Sequence, residues 1–389
     1  MRLFAVLAAA AASPYPAWAQ GPAPPQRWTL VRDLRIGSQD RPSYTLSRVG
    51  DVAIGRNGDI YVAQPQEKVI RQFDARGAYV RTFGRGGAGP GEFQALERIG
   101  WKGDSLWAAD PVQHRITFFD ARGRVLQSTR AATEVIPGTG YPTGPAAALA
   151  DGSLVGQPIP STASIQQGTA RTLPLLRMDR TGAVRGGFGP LEVRGHFEVI
   201  RRARLVMNMD VPLPFNSLWD AAPDGSGVVV VHRPIPAGAE RTRFRVARYR
   251  PSGQVVFDRA YNFTPHPVSA ASRDSIHDEL AQFFLRTRFV QAAAQARSFA
   301  RDSVPLPRFQ PPVTDVTYGR DGTIWLGRER LGTRTVEYTV LGPDGAIIAV
   351  AAVPAGVRIV QAQRDAVWGV ERDEMDVEYV VRFRVAPAR

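Results

Sequence analysis

Phe73-Asp74-Ala75-Arg76-Gly77 and Phe119-Asp120-Ala121-Arg122-Gly123 each close an apolar run, and their shared Asp-Ala-Arg-Gly tetrapeptide returns after 46 residues. An Asp side chain can cap the backbone of such a turn and Gly supplies its positive φ, so Asp-x-x-Gly suits a tight hairpin. Looser copies follow at Met178-Asp179-Arg180-Thr181-Gly182, Tyr249-Arg250-Pro251-Ser252-Gly253 and Leu341-Gly342-Pro343-Asp344-Gly345. A second turn alternates with these: Arg56-Asn57-Gly58-Asp59, Lys102-Gly103-Asp104, Asp151-Gly152-Ser153, Asp224-Gly225-Ser226, Asp321-Gly322-Thr323 and Arg364-Asp365. The spacing is that of one four-stranded propeller blade.

Between turns the chain alternates as strands do, with Ile60 and Val62 on one face and Tyr61 and Ala63 on the other. The last unit offers three strands, Val357–Gln361, Ala366–Val370 and Val377–Arg384, and Trp28–Ile36 belongs to no earlier unit. Docking Trp28–Ile36 as the outermost strand of the last blade leaves no unfinished edge. The reading is therefore an all-β, six-bladed β-propeller of four-stranded antiparallel blades. The propeller is a single domain over 28–389, after a signal peptide (1–19) and a flexible leader (20–27).

Ala108-Ala109-Asp110-Pro111-Val112-Gln113-His114-Arg115-Ile116-Thr117-Phe118-Phe119-Asp120 resembles the NHL repeat, with Gln113 where that repeat usually has Asn. Phe83–Phe93 resembles the blade-linking loop of bacterial six-bladed propellers of the same group, many of them exported, and Gly186–Glu192 is a decayed copy. The resemblance implies a propeller in which His114 packs or hydrogen-bonds within its own blade. Amidating lyases with an NHL-type propeller hold metal through several histidines. His196, His232, His266 and His277 show no such spacing here.

Arg2, the apolar Leu3–Ala12 and Ala17-Trp18-Ala19 before Gln20 read as a cleavable export signal, with periplasmic or secreted localisation. No later stretch approaches the roughly 20 apolar residues of a membrane helix. The absence of cysteine excludes disulfides, thiol catalysis and thiolate metal sites. A net charge of +13 would suit a polyanion. However, no basic run exceeds Arg201-Arg202 and Lys68 and Lys102 are the only lysines, so the arginines read as dispersed. With the export signal, this disfavours nucleic acid.

The innermost strand of each blade lines a propeller's channel, which makes Arg48, Asp51, Glu97, Arg98, Asn216, Asp220, Asp315 and Gln361 the candidate site residues. Glu97, Asp220 and Asp315 together would suit Ca²⁺ or another divalent ion. In gluconolactonase and arylesterase propellers a metal so held polarises a lactone carbonyl, the hydrolase or lyase alternative. Strand-edge carboxylates can equally pair with arginine, Glu97 with Arg98. Ser269–Ser303 breaks the β pattern with helical spacing and lengthens one connection, as a cover, a lid or a docking surface. The loops Val135–Thr143 and Gln157–Gly168 read as exposed face loops. The leading expectation is a monomeric binding module for an exported protein, a glycan or a small molecule.

Overall fold

The computed structural model describes residues 25–130, 143–158, 172–192, 197–202 and 205–387. The expected signal peptide, most of both expected face loops and His196 lie outside the described residues. The turn chemistry is that expected from sequence. Asp74 Oδ1 accepts from the amides of Arg76 (2.9 Å) and Ala78 (2.8 Å), and Asp120 Oδ1 from those of Arg122 and Arg124 (both 2.9 Å). Gly77 and Gly123 take φ values of 83° and 81°.

These turns join antiparallel strands into four separate four-stranded sheets, over 51–83, 98–130, 143–192 and 218–263. Besides two short two-stranded pairings, at 85–93 and 197–210, the remaining strands make one eight-stranded sheet. Its first half is Asp315–Tyr318, Ile324–Glu329, Thr335–Leu341 and Ile347–Pro354; its second is Arg358–Ala362, Ala366–Arg372, Glu378–Pro387 and the N-terminal strand Gln26–Ile36. Gln26–Ile36 pairs antiparallel with the last strand, from Trp28 opposite Pro387 to Ile36 opposite Val380. The expectation of separate blades fails at one seam. Gln26–Trp28 also runs parallel to Ala349–Ala351, because this 11-residue strand reaches the outer edge of the neighbouring unit.

The two faces of each strand pack against different neighbours. Ile60 and Val62 join Trp368, Val370 and Val380 from the chain's last unit, whereas Tyr61 and Ala63 join Ile99, Leu106 and Ala108 from the second sheet. Further cores link the second, third and fourth sheets, then the fourth to 315–354, then 315–354 to 358–387. The packing thus returns to its start, a propeller-like arrangement.

The motif at 108–120 staples the link before it. Gln113 Nε2 donates to Gly87 O (3.1 Å), Glu92 O (3.2 Å) and Asp110 Oδ2 (2.7 Å), and Arg115 Nη2 to Gly89 O (3.0 Å) and Glu92 O (2.6 Å). His114 sits at φ 48° with Nδ1 buried and without a partner, so that ring nitrogen makes no bond within the sheet. Gly186–Glu192, expected as a linking loop, is part of strand Val184–Glu192. Phe188, fully buried, anchors it, and register irregularities absorb the glycines.

The expected helical insert is two helices, α1 (Ala270–Arg286) and α2 (Ala293–Ser303). The Ser269 side chain caps α1, accepting from the Ser272 amide, and Arg288 at φ 57° ends it. Val290, expected on the helix, lies between the two. The pair buries Leu280, Phe284, Phe289, Val290, Ala296 and Ala300 in a separate core that includes Ile200 of the hairpin Phe197–Arg202/Leu205–Asp210. No helix among the described residues is long and apolar enough to cross a membrane.

Candidate functional site

In an antiparallel four-stranded meander the last strand ends where the next sheet's first strand begins, so all inter-sheet connections emerge at one end. The helix pair and the hairpin at 197–210 are both such connections. At that end Asp51, Glu97, Arg98, Asp220, Thr317 and Arg358, with the backbone of 50, 316 and 359–360, line a cavity of about 180 Å³. They come from five first strands: Asp51, Arg98 and Arg358 begin theirs, Glu97 just precedes one, and Asp220 and Thr317 are third in theirs. The third sheet offers Gly144, Pro145 and Ala146 there, small residues that carry no charge.

The other end is bridged by the turns. Trp101 N donates to Pro223 O (2.7 Å), Ala150 N to Gly225 O (3.0 Å) and Arg320 Nη2 to Ile54 O (2.6 Å). Trp101–Pro223 and Arg320–Ile54 join units that are not sequence neighbours, so they cross the channel and close it. Gly225 has φ 72°, and a Cβ there would lie 2.5 Å from Ala150 N. Gly225→Ala is therefore expected to cost about 2–4 kcal/mol, from left-handed strain plus a backbone clash. Gly332→Ala, with φ 83° but nothing near its Cβ, is expected to cost about 1 kcal/mol. Urea midpoints of the two variants check the contrast.

The wall groups hold the ring together as well as lining it. Asp51 Oδ1 accepts from Val52 N (2.8 Å) and Oδ2 from Ile99 N of the next sheet (3.0 Å). Asp220 repeats the device, accepting from Ala221 N (2.9 Å) and from Tyr318 N of the next unit (2.8 Å). Asp220 also pairs with Arg98, two sheets away, across the small residues of the third sheet. Arg358 donates to Val49 O (2.6 Å) and Gly50 O (3.3 Å), tying the last unit to the first.

Burial pushes the Asp51 carboxyl up to about 6, against the pull of Arg98 and helped by the charge of Asp220. Burial likewise raises Asp315 to about 6, opposed by the hydrogen bond from Tyr338 Oη (3.1 Å). Asp220 is raised by burial too. A carboxyl that is more basic folded than unfolded stabilises the fold below its unfolded value near 3.8, and that contribution is lost as pH rises through 6. For Asp51 and for Asp315 this amounts to about 3 kcal/mol. Asp51→Asn should therefore gain on the wild type by about 2–3 kcal/mol between pH 4 and pH 7, measured as the difference of urea unfolding free energies. A difference flat with pH would contradict the raised value.

Of the expected site residues, Asp51, Glu97, Arg98 and Asp220 meet at the cavity, with Asp315 electrostatically coupled to Asp220. Arg48 is exposed and outside the lining, Asn216 gives its carbonyl to Arg233 (2.5 Å), and Gln361 is buried. Arg98 pairs with Asp220, not Glu97, because the guanidinium reaches across the channel. Among the described residues no three His, Cys, Asp or Glu groups are placed to hold an ion, Glu97, Asp220 and Asp315 included. The amides and Arg98 already occupy Asp220, and Tyr338 occupies Asp315. Sequence reading missed Thr317 and Arg358. Arg358 is the first residue of its strand, the same position that marked Arg98.

No known family profile matches the chain, and no curated protein matches it. Among solved structures, a DUF4221 family member from Bacteroides vulgatus matches with TM-score 0.50 and 10% identity, over 94% of this chain and 100% of that one. A protein of Bacteroides fragilis named as exported matches with TM-score 0.49 and 12% identity, over 93% and 96%. A virginiamycin B lyase from Staphylococcus aureus matches with TM-score 0.42 and 10% identity, over 92% and 99%. At such identities the likeness is one of fold. The chain has the β-propeller fold.

Proposed function

We propose that this is an exported six-bladed propeller that binds a small ligand in its half-closed channel, with the helix pair beside the opening. The count of six treats the eight-stranded sheet as two blades joined by the three-residue parallel contact at Gln26–Trp28. Export rests on the signal-like residues 1–19, and periplasm or medium is the expected compartment. The single observation that carries the binding reading is a charged cavity of about 180 Å³, open at one end and crossed at the other by hydrogen bonds between units that are not sequence neighbours. Both of its arginines are engaged, as are Asp51 and Asp220, which leaves Glu97 as its one unpaired carboxylate among the described residues and suits recognition better than metal-assisted hydrolysis.

The test is a metabolite-library thermal-shift screen on wild type and on Thr317→Phe, which fills the cavity from its wall. A ligand at 100 times its Kd stabilises the wild type by about 2.7 kcal/mol and leaves Thr317→Phe unmoved. Equal shifts in both proteins would place binding elsewhere.

A further inference from the structure

We propose that the channel takes a small organic cation carrying a primary ammonium group, held by the Glu97 and Asp51 carboxylates. This rests on the binding reading above. The cavity wall holds three carboxylates, Asp51, Glu97 and Asp220, against two guanidiniums, Arg98 and Arg358. Both guanidiniums are engaged: Arg98 by Asp220, and Arg358 by the carbonyls of Val49 and Gly50. The unbalanced charge is negative, and Asp315 beside the wall adds to it. A chain of net charge +13 thus surrounds a channel of the opposite sign. Low-dielectric walls focus such a field and concentrate cations at the opening.

Two further features fit an organic cation. Glu97 is exposed at the opening, and its carboxylate has no hydrogen-bond or ion-pair partner among the described residues. Thr317 is 5% exposed, lies on the cavity wall, and its hydroxyl makes no hydrogen bond among the described residues. The side chain is largely buried, and its hydroxyl is not one of the sealed, unpartnered polar atoms, so it reaches the open space of the cavity where a ligand would lie. The cavity's 180 Å³ is the volume of about six waters, room for a ligand of roughly six heavy atoms. A bare metal ion would leave that space empty and lacks a three-ligand set here.

The probes are 1,4-diaminobutane, neutral 1,4-butanediol and anionic succinate, each titrated calorimetrically at pH 7.5 into wild type, Glu97→Gln and Glu97→Lys. Glu97 is exposed, so both variants should keep the wild-type melting temperature. The expected result is binding of the diamine only, weakened about tenfold in Glu97→Gln and abolished in Glu97→Lys. Affinity should also fall as pH drops from 7.5 to 5 and the buried Asp51 takes up a proton. Binding of succinate without the diamine would overturn the cation inference and leave the channel as a binding site. Silence from all three probes would overturn the cation inference as well. The library screen on Thr317→Phe then decides separately whether the channel binds anything, because it does not depend on probe charge.

Discussion

A chain beginning at Ser38 is expected to lose cooperative unfolding, and moving residues 26–36 to the C-terminus through a short linker is expected to restore it. The strand Gln26–Ile36 makes eight residue pairs with the last strand, at roughly 0.5–1.5 kcal/mol per hydrogen bond. It buries Ile36 to 1% exposure and sets the Trp28 ring 5.6 Å from Trp325. It also carries Asp33, which pairs with Arg382 (2.9 Å) and Arg384 (3.2 Å), and Arg35, which pairs with Glu371 (2.7 Å). Together these exceed about 5 kcal/mol, comparable with the whole stability of an ordinary domain. Loss of the strand would also bare the edge of Glu378–Pro387. Trp28 faces Pro387, so a linker joining the last strand to this one closes as a hairpin in the native register. Denaturant unfolding followed by far-UV CD compares the three chains. An unchanged midpoint in the truncated chain would show that the ring does not depend on this closure.

Arg233→Met should cost about 3 kcal/mol, and Arg233→Lys should recover little of it. Arg233 is 3% exposed, and its Nε donates to Asn216 O (2.5 Å) while Nη1 donates to Val313 O (2.7 Å). One planar guanidinium thereby holds the entries to two successive first strands, one of them just after the helix pair. Burial alone lowers its pKa to about 10, with no carboxylate offsetting the desolvation. Met keeps the apolar stem but leaves two carbonyls unpaired, at about 1–3 kcal/mol each. A lysine ammonium, a point donor on a flexible stem, does not reproduce the fork. Urea unfolding measures the loss. A value below about 1 kcal/mol would mean that water or a backbone shift replaces the guanidinium.

Parts of the site were legible in the sequence and parts were not, for a physical reason. Asp51, Arg98 and Asp220 are charged residues on short strands that follow a recognisable link, so position alone marked them. Their partners were not legible. Arg98 meets Asp220 across 122 residues of sequence because Gly144, Pro145 and Ala146 leave the space between them open, which no local pattern announces. Glu97, Asp220 and Asp315 look alike as oxygen donors in sequence. In the fold one is exposed, one is tied to two amides and an arginine, and one is bonded by Tyr338.

Local chemistry sufficed for everything that repeats. Asp-capped glycine turns, period-two strands and the orphan strand at the start specify a ring of antiparallel sheets, because hairpin geometry depends on neighbouring residues alone. Tertiary structure decided what has no local cause. The parallel seam at Gln26–Trp28, the break between α1 and α2 and the seating of both on the hairpin at 197–210 depend on where separate units meet. So do the hydrogen bonds that cross one end of the channel and the sign of the charge left inside it, since through-space contacts and burial set these over chain separations that sequence periodicity does not record.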